Sequence, residues 1–373
     1  MKIAILNDTH AGIRNSSDIF MDYQEKFYRD VFFPYLLKNN ITQILHLGDY
    51  YDNRKTVNFK ALGHNRKIFL EKLREYGITM DIIPGNHDVY YKNTNELNAL
   101  KELQGHYMNE VNLVMEPTVV NYDGLDIALV PWINQENEEE SLKFLKSTKA
   151  SFVGAHLELQ GFDMQKGMPC QDGMSPKLFE RFEMVLSGHF HAKSHMGNIQ
   201  YLGSQMEFFW NDCNDNKYFH ILDTDTRELT SVRNPVTIYE KIYYDHEKLN
   251  KFQDLSHLDE KFVKIIVVNK GDAYEFERFV DRVQAQKIHE LKIQEDFSDF
   301  IGDNVDDAKV SVEDTEQIVY ACNDQGTAAK RCYNLNRSGY DDWFLPSSME
   351  LSLICDMKFI IDSVAVLHGG SQF

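Results

Sequence analysis

A chain of 373 residues that is 43% hydrophobic can bury a large core, and its length suits two domains or one with an appendage. A formal net charge of -19 argues against a polyanionic partner in general, yet carboxylates that bind divalent cations count as negative here and are neutralised when loaded. There is no apolar run near the roughly 18 residues of a membrane helix, no leader pattern and no Cys-x-x-Cys spacing, which predicts a cytoplasmic protein with no membrane partner, zinc ribbon or disulfide framework.

In chain order, 1–6 reads as a strand running into Asn7-Asp8-Thr9-His10. Residues 16–38 read as a helix, because Phe20, Tyr23, Phe27, Val31 and Tyr35 recur at helical steps, and Ser16 or Ser17 can cap it. The apolar run 44–47 ends at Gly48 and presents Asp49 and Asp52, followed by a polar, basic loop. A second helix is expected from about Asn58 to Tyr76, closed by Gly77. The strand 78–83 then delivers Pro84-Gly85-Asn86-His87-Asp88, with a short helix near 96–103.

Beyond this point short strands dominate, at 111–115, 118–121, 125–131, 151–155, 184–187, 199–202 and 218–223. The strand at 151–155 ends in His156, and that at 184–187 leads through Gly188 to His189 and His191. The whole predicts an α/β fold in which two sheets lie face to face with helices outside and the strand-end loops gather along one edge. Past Asn234-Pro235, a strand (261–268), a helix (273–289) and a strand (291–294) suggest a small α/β cap. The acidic runs at 136–140 and 295–316 read as solvated surfaces.

Five strand ends thus carry Asp8, His10, Asp49, Asn86, His156, His189 and His191. Carboxylate, amide and imidazole donors suit divalent cations such as Mn²⁺ and Mg²⁺, and one carboxylate can bridge two of them. Each residue alone has a structural explanation: a loop acid, a core histidine, a surface pair. Seven at five strand ends do not.

In their order, Asp-x-His, Gly-Asp-x-x-Asp, Gly-Asn-His-Asp, a lone His after a strand and Gly-His-x-His resemble the calcineurin-like metallophosphoesterase superfamily. Within it, the Asp49 loop, the Tyr201-Leu202-Gly203-Ser204 turn and the cap resemble the SbcD-type DNA repair nucleases, the phage recombination endonucleases among them. The resemblance implies Asp8, His10, Asp49 and His191 on one metal, and Asp49, Asn86, His156 and His189 on the other, with Asp49 as the bridge. Mn²⁺ is the first choice of metal and Mg²⁺ the second. It further implies exonuclease action on duplex DNA and endonuclease action on single strands in recombination and repair, an SbcC-like coiled-coil ATPase partner and a homodimer. His87 would protonate the leaving oxygen or stabilise the transition state. Asp88 would orient a histidine. Asp52 stands where many relatives carry a histidine, so it is expected to support the ligand shell instead.

A phosphatase of the same superfamily would share every metal ligand, and a scaffold that had lost its metals would share the fold. The cap and a basic face of Arg54, Lys55, Lys60, Arg66 and Lys92 favour the nuclease. The expected division is a nuclease domain at 1–233, a DNA-binding cap at 234–320 and an unrelated tail at 321–373. Part of that tail, 340–351, resembles a fragment of a lectin-like domain, and the helical segment by which SbcD-type proteins dock on their ATPase is not recognisable in it.

Overall fold

Alternate residues of the N-terminal strand, β1 (Lys2–Leu6), serve two different cores: Ile3 and Ile5 point between two sheets, whereas Ala4 and Leu6 pack under helices. The computed structural model describes residues 1–165, 168–248 and 253–295. The strands that follow are β2 (Gln43–His46), β3 (Thr79–Ile82), β4 (Val111–Leu113), β5 (Thr118–Tyr122), β6 (Leu125–Val130) and β7 (Phe152–His156). After a small hairpin, β8 (Asp163–Gln165) and β9 (Met168–Pro169), come β10 (Met184–Gly188), β11 (Ser194–Met196), β12 (Ile199–Tyr201), β13 (Tyr218–Asp223) and β14 (Leu229–Arg233).

They form two six-stranded sheets, ordered β14-β13-β1-β2-β3-β4 and β11-β12-β10-β7-β6-β5. The central strands of each are parallel, so their carboxyl ends open on one edge. Ile3, Ile5, Leu45 and Leu47 of the first sheet meet Ile127, Leu129, Phe152 and Leu186 of the second in one apolar layer. Gly154 lies in that layer because a Cβ there would come within 3.0 Å of Leu47 and 3.1 Å of Leu129. The expected two-sheet architecture is therefore present.

The helices cover the outer face of the first sheet through Phe27, Phe32, Leu36, Phe69 and Leu73. The segment 59–76 starts where the Asn58 side chain accepts the Lys60 N–H at 2.8 Å and ends at Gly77 (φ 64°), as its sequence indicates. The first helix departs from expectation. It starts at Asp18 because Arg14, Asn15 and Ser16 hold φ values of 55°, 54° and 60°, and Ser17 at its start makes no side-chain cap bond. Before Pro34, which cannot donate, the ladder slips so that the Phe33 N–H reaches Tyr28 O.

The acidic run at 136–140 opens an unexpected helix, Glu138–Ser147, whose first turn carries three glutamates where the helix dipole favours them. Strand β14 is a second element that the sequence reading does not contain. Further on lie β15 (Tyr239–Asp245), β16 (Phe262–Asn269), the helix Ala273–Gln284 and β17 (Glu290–Glu295), with Tyr244 packed on Phe276 and Phe279. This helix stops five residues short of the expected His289. One compact unit holds the described residues of 1–265 and 269–293. The predicted tail at 321–373, with its lectin-like stretch, lies outside the described residues, as does most of the acidic run 295–316. Among the described residues no helix is long and apolar enough to cross a membrane.

Candidate metal centre

Each sequence-predicted donor sits just past, or at, the carboxyl end of a parallel strand. Loop-to-loop hydrogen bonds hold the ends together: Asp8 N–H to Gly48 O at 2.9 Å, His10 N–H to Asp49 O at 3.1 Å, and Ala11 N–H to Tyr50 O at 2.7 Å. The turns are so tight that Asp8 (φ 47°), His10 (44°), Asp49 (55°) and His189 (90°) all occupy the left-handed region. Four such non-glycine residues in one place mark a backbone held against its preference, a pattern typical of functional sites. Glycine supplies the closest approaches. A Cβ on Gly85 would collide with the Asp49 backbone and carboxylate, and one on Gly48 would stand 2.6 Å from His156 Nδ1.

The donors form two groups. In the first, Nε2 of His10 and Nε2 of His191 are 3.1 Å apart, and each lies 3.9 Å from Asp8 Oδ1. The second gathers Asp49, His156 and His189, with Asn86 Oδ1 3.0 Å and Asp49 Oδ2 3.3 Å from His156 Nε2. Asp49 Oδ2 is also 4.0 Å from His10 Nε2, so one carboxylate faces both groups. All seven predicted donors are thereby brought together.

The chemistry of these atoms fits cations. His156 Nδ1–H donates to Leu47 O at 2.8 Å, which leaves Nε2 as a lone pair among Asn86 Oδ1 and Asp49 Oδ2, all acceptors. Three acceptors converge stably only around a proton or a metal ion. The same reasoning holds for the facing imidazoles of His10 and His191. Burial alone would lower His10, but Asp52, Asp49 and Asp8 raise it to about 9; His156, opposed by the same burial, is raised to about 9 by Asp49 and Asp8. Burial, reinforced by His156, pushes His189 down to about 3, and burial with His10 pushes His191 lower than its usual range.

Around the donors, Asp52 Oδ1 faces His10 Nδ1 at 3.4 Å. His87 Nδ1–H donates to Asp52 O at 2.6 Å, and its ring stands edge-on to His10 with centroids 4.9 Å apart. Burial holds the His87 imidazole below its ordinary value. Asp88 corrects the sequence reading: among the described residues its carboxylate bonds to backbone and not to a histidine. It accepts the backbone N–H of Tyr50 (3.0 Å), Tyr51 (3.0 Å) and Gly85 (2.9 Å), and so ties the Asp49 loop to the Asn86 loop.

Of the basic face, Lys55, Lys60 and Lys92 are exposed, whereas Arg54 and Arg66 are half-buried. Lys60 pairs with Asp18, which offsets its charge. Sequence reading missed Asn7, whose amide donates to Asp8 Oδ2 at 2.6 Å, and Trp132, whose ring lies 5.9 Å from that of His156 and 5.4 Å from that of His189. An amide beside an acid, or a tryptophan on a loop well before the histidine it touches, carries no local sequence signal.

Residues 1–193 match the model of the family described as Metallophos, calcineurin-like phosphoesterase, a span that ends just past His191. The chain belongs to the calcineurin-like phosphoesterase family. This phosphoesterase is 33% identical over 294 residues to "Exonuclease subunit 1" of Enterobacteria phage T4, a match covering 79% of this chain and 84% of the relative. Two solved structures are also similar. One, described as a novel archaeal phosphodiesterase, is 16% identical, covers 63% of this chain and 100% of its own, and has a TM-score of 0.33. The other, a protein of Thermus thermophilus, is 14% identical, covers 62% and 98%, and has a TM-score of 0.36. At those scores the likeness carries no argument.

Proposed function

We propose that this phosphoesterase is a two-metal DNA nuclease that cleaves phosphodiester bonds, with Mn²⁺ as its metal. The observation that carries the reading is the placement of the Asp49 carboxylate, 3.3 Å from His156 Nε2 and 4.0 Å from His10 Nε2, between two donor groups. Asp8, His10 and His191 would hold one cation, Asn86, His156 and His189 the other, and Asp49 both. Bound there, the cations supply Lewis-acid polarisation of the phosphodiester and offset charge on the entering and leaving oxygens.

The chain's own residues prepare that chemistry. Leu47 O fixes the His156 tautomer and Asp52 faces the outer nitrogen of His10, so both rings aim Nε2 inward. His87, held through Nδ1–H on Asp52 O, would take up a second proton on Nε2 from solvent and give it to the leaving oxygen. Its buried position keeps it neutral at rest, and a phosphate beside it acts in the opposite sense, favouring the imidazolium.

A DNA substrate is supported by the phage relative, named as an exonuclease subunit. The word subunit also supports a partner, which we take to be an SbcC-like ATPase, and a homodimeric nuclease. We further divide the chain into a nuclease domain at 1–233 and a DNA-facing cap from 234, with Lys55, Lys92, Arg54, Arg66 and Lys60 along the phosphate path. The test is digestion of linear duplex and single-stranded DNA with Mn²⁺, beside hydrolysis of p-nitrophenyl phosphate. Metal-dependent DNA degradation that EDTA stops is expected. Phosphomonoester hydrolysis without DNA cleavage would overturn the nuclease reading.

A further inference from the structure

Among the described residues Lys217 is the most deeply buried lysine to which the nuclease reading gives no part: its side chain is 3% exposed and lies between the Asp212 and Asp215 carboxylates, Nζ being 2.6 Å from Asp212 Oδ1 and 3.0 Å from Asp215 Oδ2. An ammonium is costly to bury even when paired, so its third contact is informative. Nζ also donates to the main-chain carbonyl of His191 at 3.1 Å, alongside the Ser204 N–H at the same distance.

Asp212 extends this contact. Its other oxygen, Oδ2, accepts the backbone N–H groups of Phe208 (2.8 Å) and Phe209 (2.9 Å). These two rings enclose the first donor group. Phe209 stacks on the His191 imidazole with planes 14° apart and centroids at 6.2 Å, while Phe208 stands edge-on to His191 at 5.6 Å and to His10 at 5.5 Å. One buried ion pair therefore fixes the His191 backbone from one side and the rings that confine the His191 and His10 side chains from the other. The hydrogen bonds and ion pairs of Lys217 and Asp212 run to the His191 side of the centre and not to Asp49, Asn86, His156 or His189.

We propose that Lys217 and Asp212 are positioning residues for one half of the metal centre: they hold His191, and through Phe208 also His10, in the geometry that binds the first cation, and leave the second site alone. The inference rests on the two-cation reading. Outer contacts of this kind are worth about 10 to 100-fold in metal affinity.

The experiment is calorimetric titration of the metal-stripped full chain with Mn²⁺. Wild type is expected to take up two ions. In Lys217→Met, one step should weaken by about 10 to 100-fold and the other stay within about two-fold. On a His191→Ala background, Lys217→Met should weaken that step by less than it does in wild type, because His191 is one of the two rings through which it acts. Phe209→Leu, which leaves the ion pair in place, should weaken the same step by a smaller factor and serves if Lys217→Met does not fold. Equal weakening of both steps, no weakening, or additive effects with His191→Ala would overturn the proposal while the two-cation reading stands. A wild-type chain that takes up no Mn²⁺ would overturn both.

Discussion

His10 and His191 meet Nε2 to Nε2 at 3.1 Å, an arrangement in which two neutral lone pairs repel. A proton on one ring relieves this, and the acids around His10, working against burial, hold it there up to about pH 9. His156, raised to about 9 beside Asp49, behaves alike. The metal-free fold thus keeps protons where cations would sit.

Proton and metal must then compete. Metal uptake should release protons, and the apparent Mn²⁺ affinity should rise with pH between about 6.5 and 9. The linkage has a definite sign: both histidines are raised above their usual 6.5, so their stabilising contribution is full below 6.5 and lost as pH climbs through about 9. The metal-free melting temperature should fall across that window while the gain on adding Mn²⁺ grows. A gain that is flat with pH would show that these imidazoles are not displaced by metal.

Asp49→Asn should weaken both Mn²⁺ sites together, since Oδ2 faces His156 and His10 alike. The amide that replaces the carboxylate still offers an oxygen to the His87 N–H, which Asp49 accepts at 2.8 Å, so the fold should survive. Calorimetry that found one normal site in this variant would remove the bridging role.

His87→Ala should keep both metals and lose roughly 10² to 10⁴-fold in single-turnover DNA cleavage, the range for a lost proton donor. Its backbone N–H still serves Asp49, whereas the contact from Nδ1 to Asp52 O and the edge-on contact with His10 are lost. Turnover within a few-fold of wild type would leave His87 with no chemical role.

That these side chains would meet was legible in the sequence because strand ends followed by glycine must turn sharply, and parallel strands deliver their ends to one edge. Asp8, Asp49 and His189 could be named for that reason, although their positive φ values could not be foreseen. What supports them was not legible, since it comes from distant chain. Lys217 reaches back to His191 and Trp132 forward to His156 and His189, contacts set by sheet order alone. The start of the first helix was placed too early because Ser16 and Ser17 both offer a capping hydroxyl, whereas the left-handed run from Arg14 to Ser16 belongs to the loop after His10. For Asp88 the resemblance implied a histidine partner, and the backbone claimed the carboxylate instead.

That last residue yields a stability prediction. Asp88 is fully buried and its two oxygens accept three backbone N–H groups from two separate loops, so removing it takes away a partner that both loops share. Asp88→Ala leaves those donors unsatisfied, and at about 1 to 3 kcal/mol for each buried orphan the loss should reach at least roughly 3 kcal/mol. Burial and the nearby Asp49 raise Asp88 to about 7, so it is part-protonated near neutrality and a neutral replacement is tolerated better than its location suggests. Asp88→Asn, which keeps one carbonyl oxygen for Tyr50 and Tyr51, should therefore cost less than half as much. Urea denaturation of both variants without metal is the measurement. Equal midpoints for Asp88→Ala and wild type would mean that the Asp49 and Asn86 loops are held together by something other than this carboxylate.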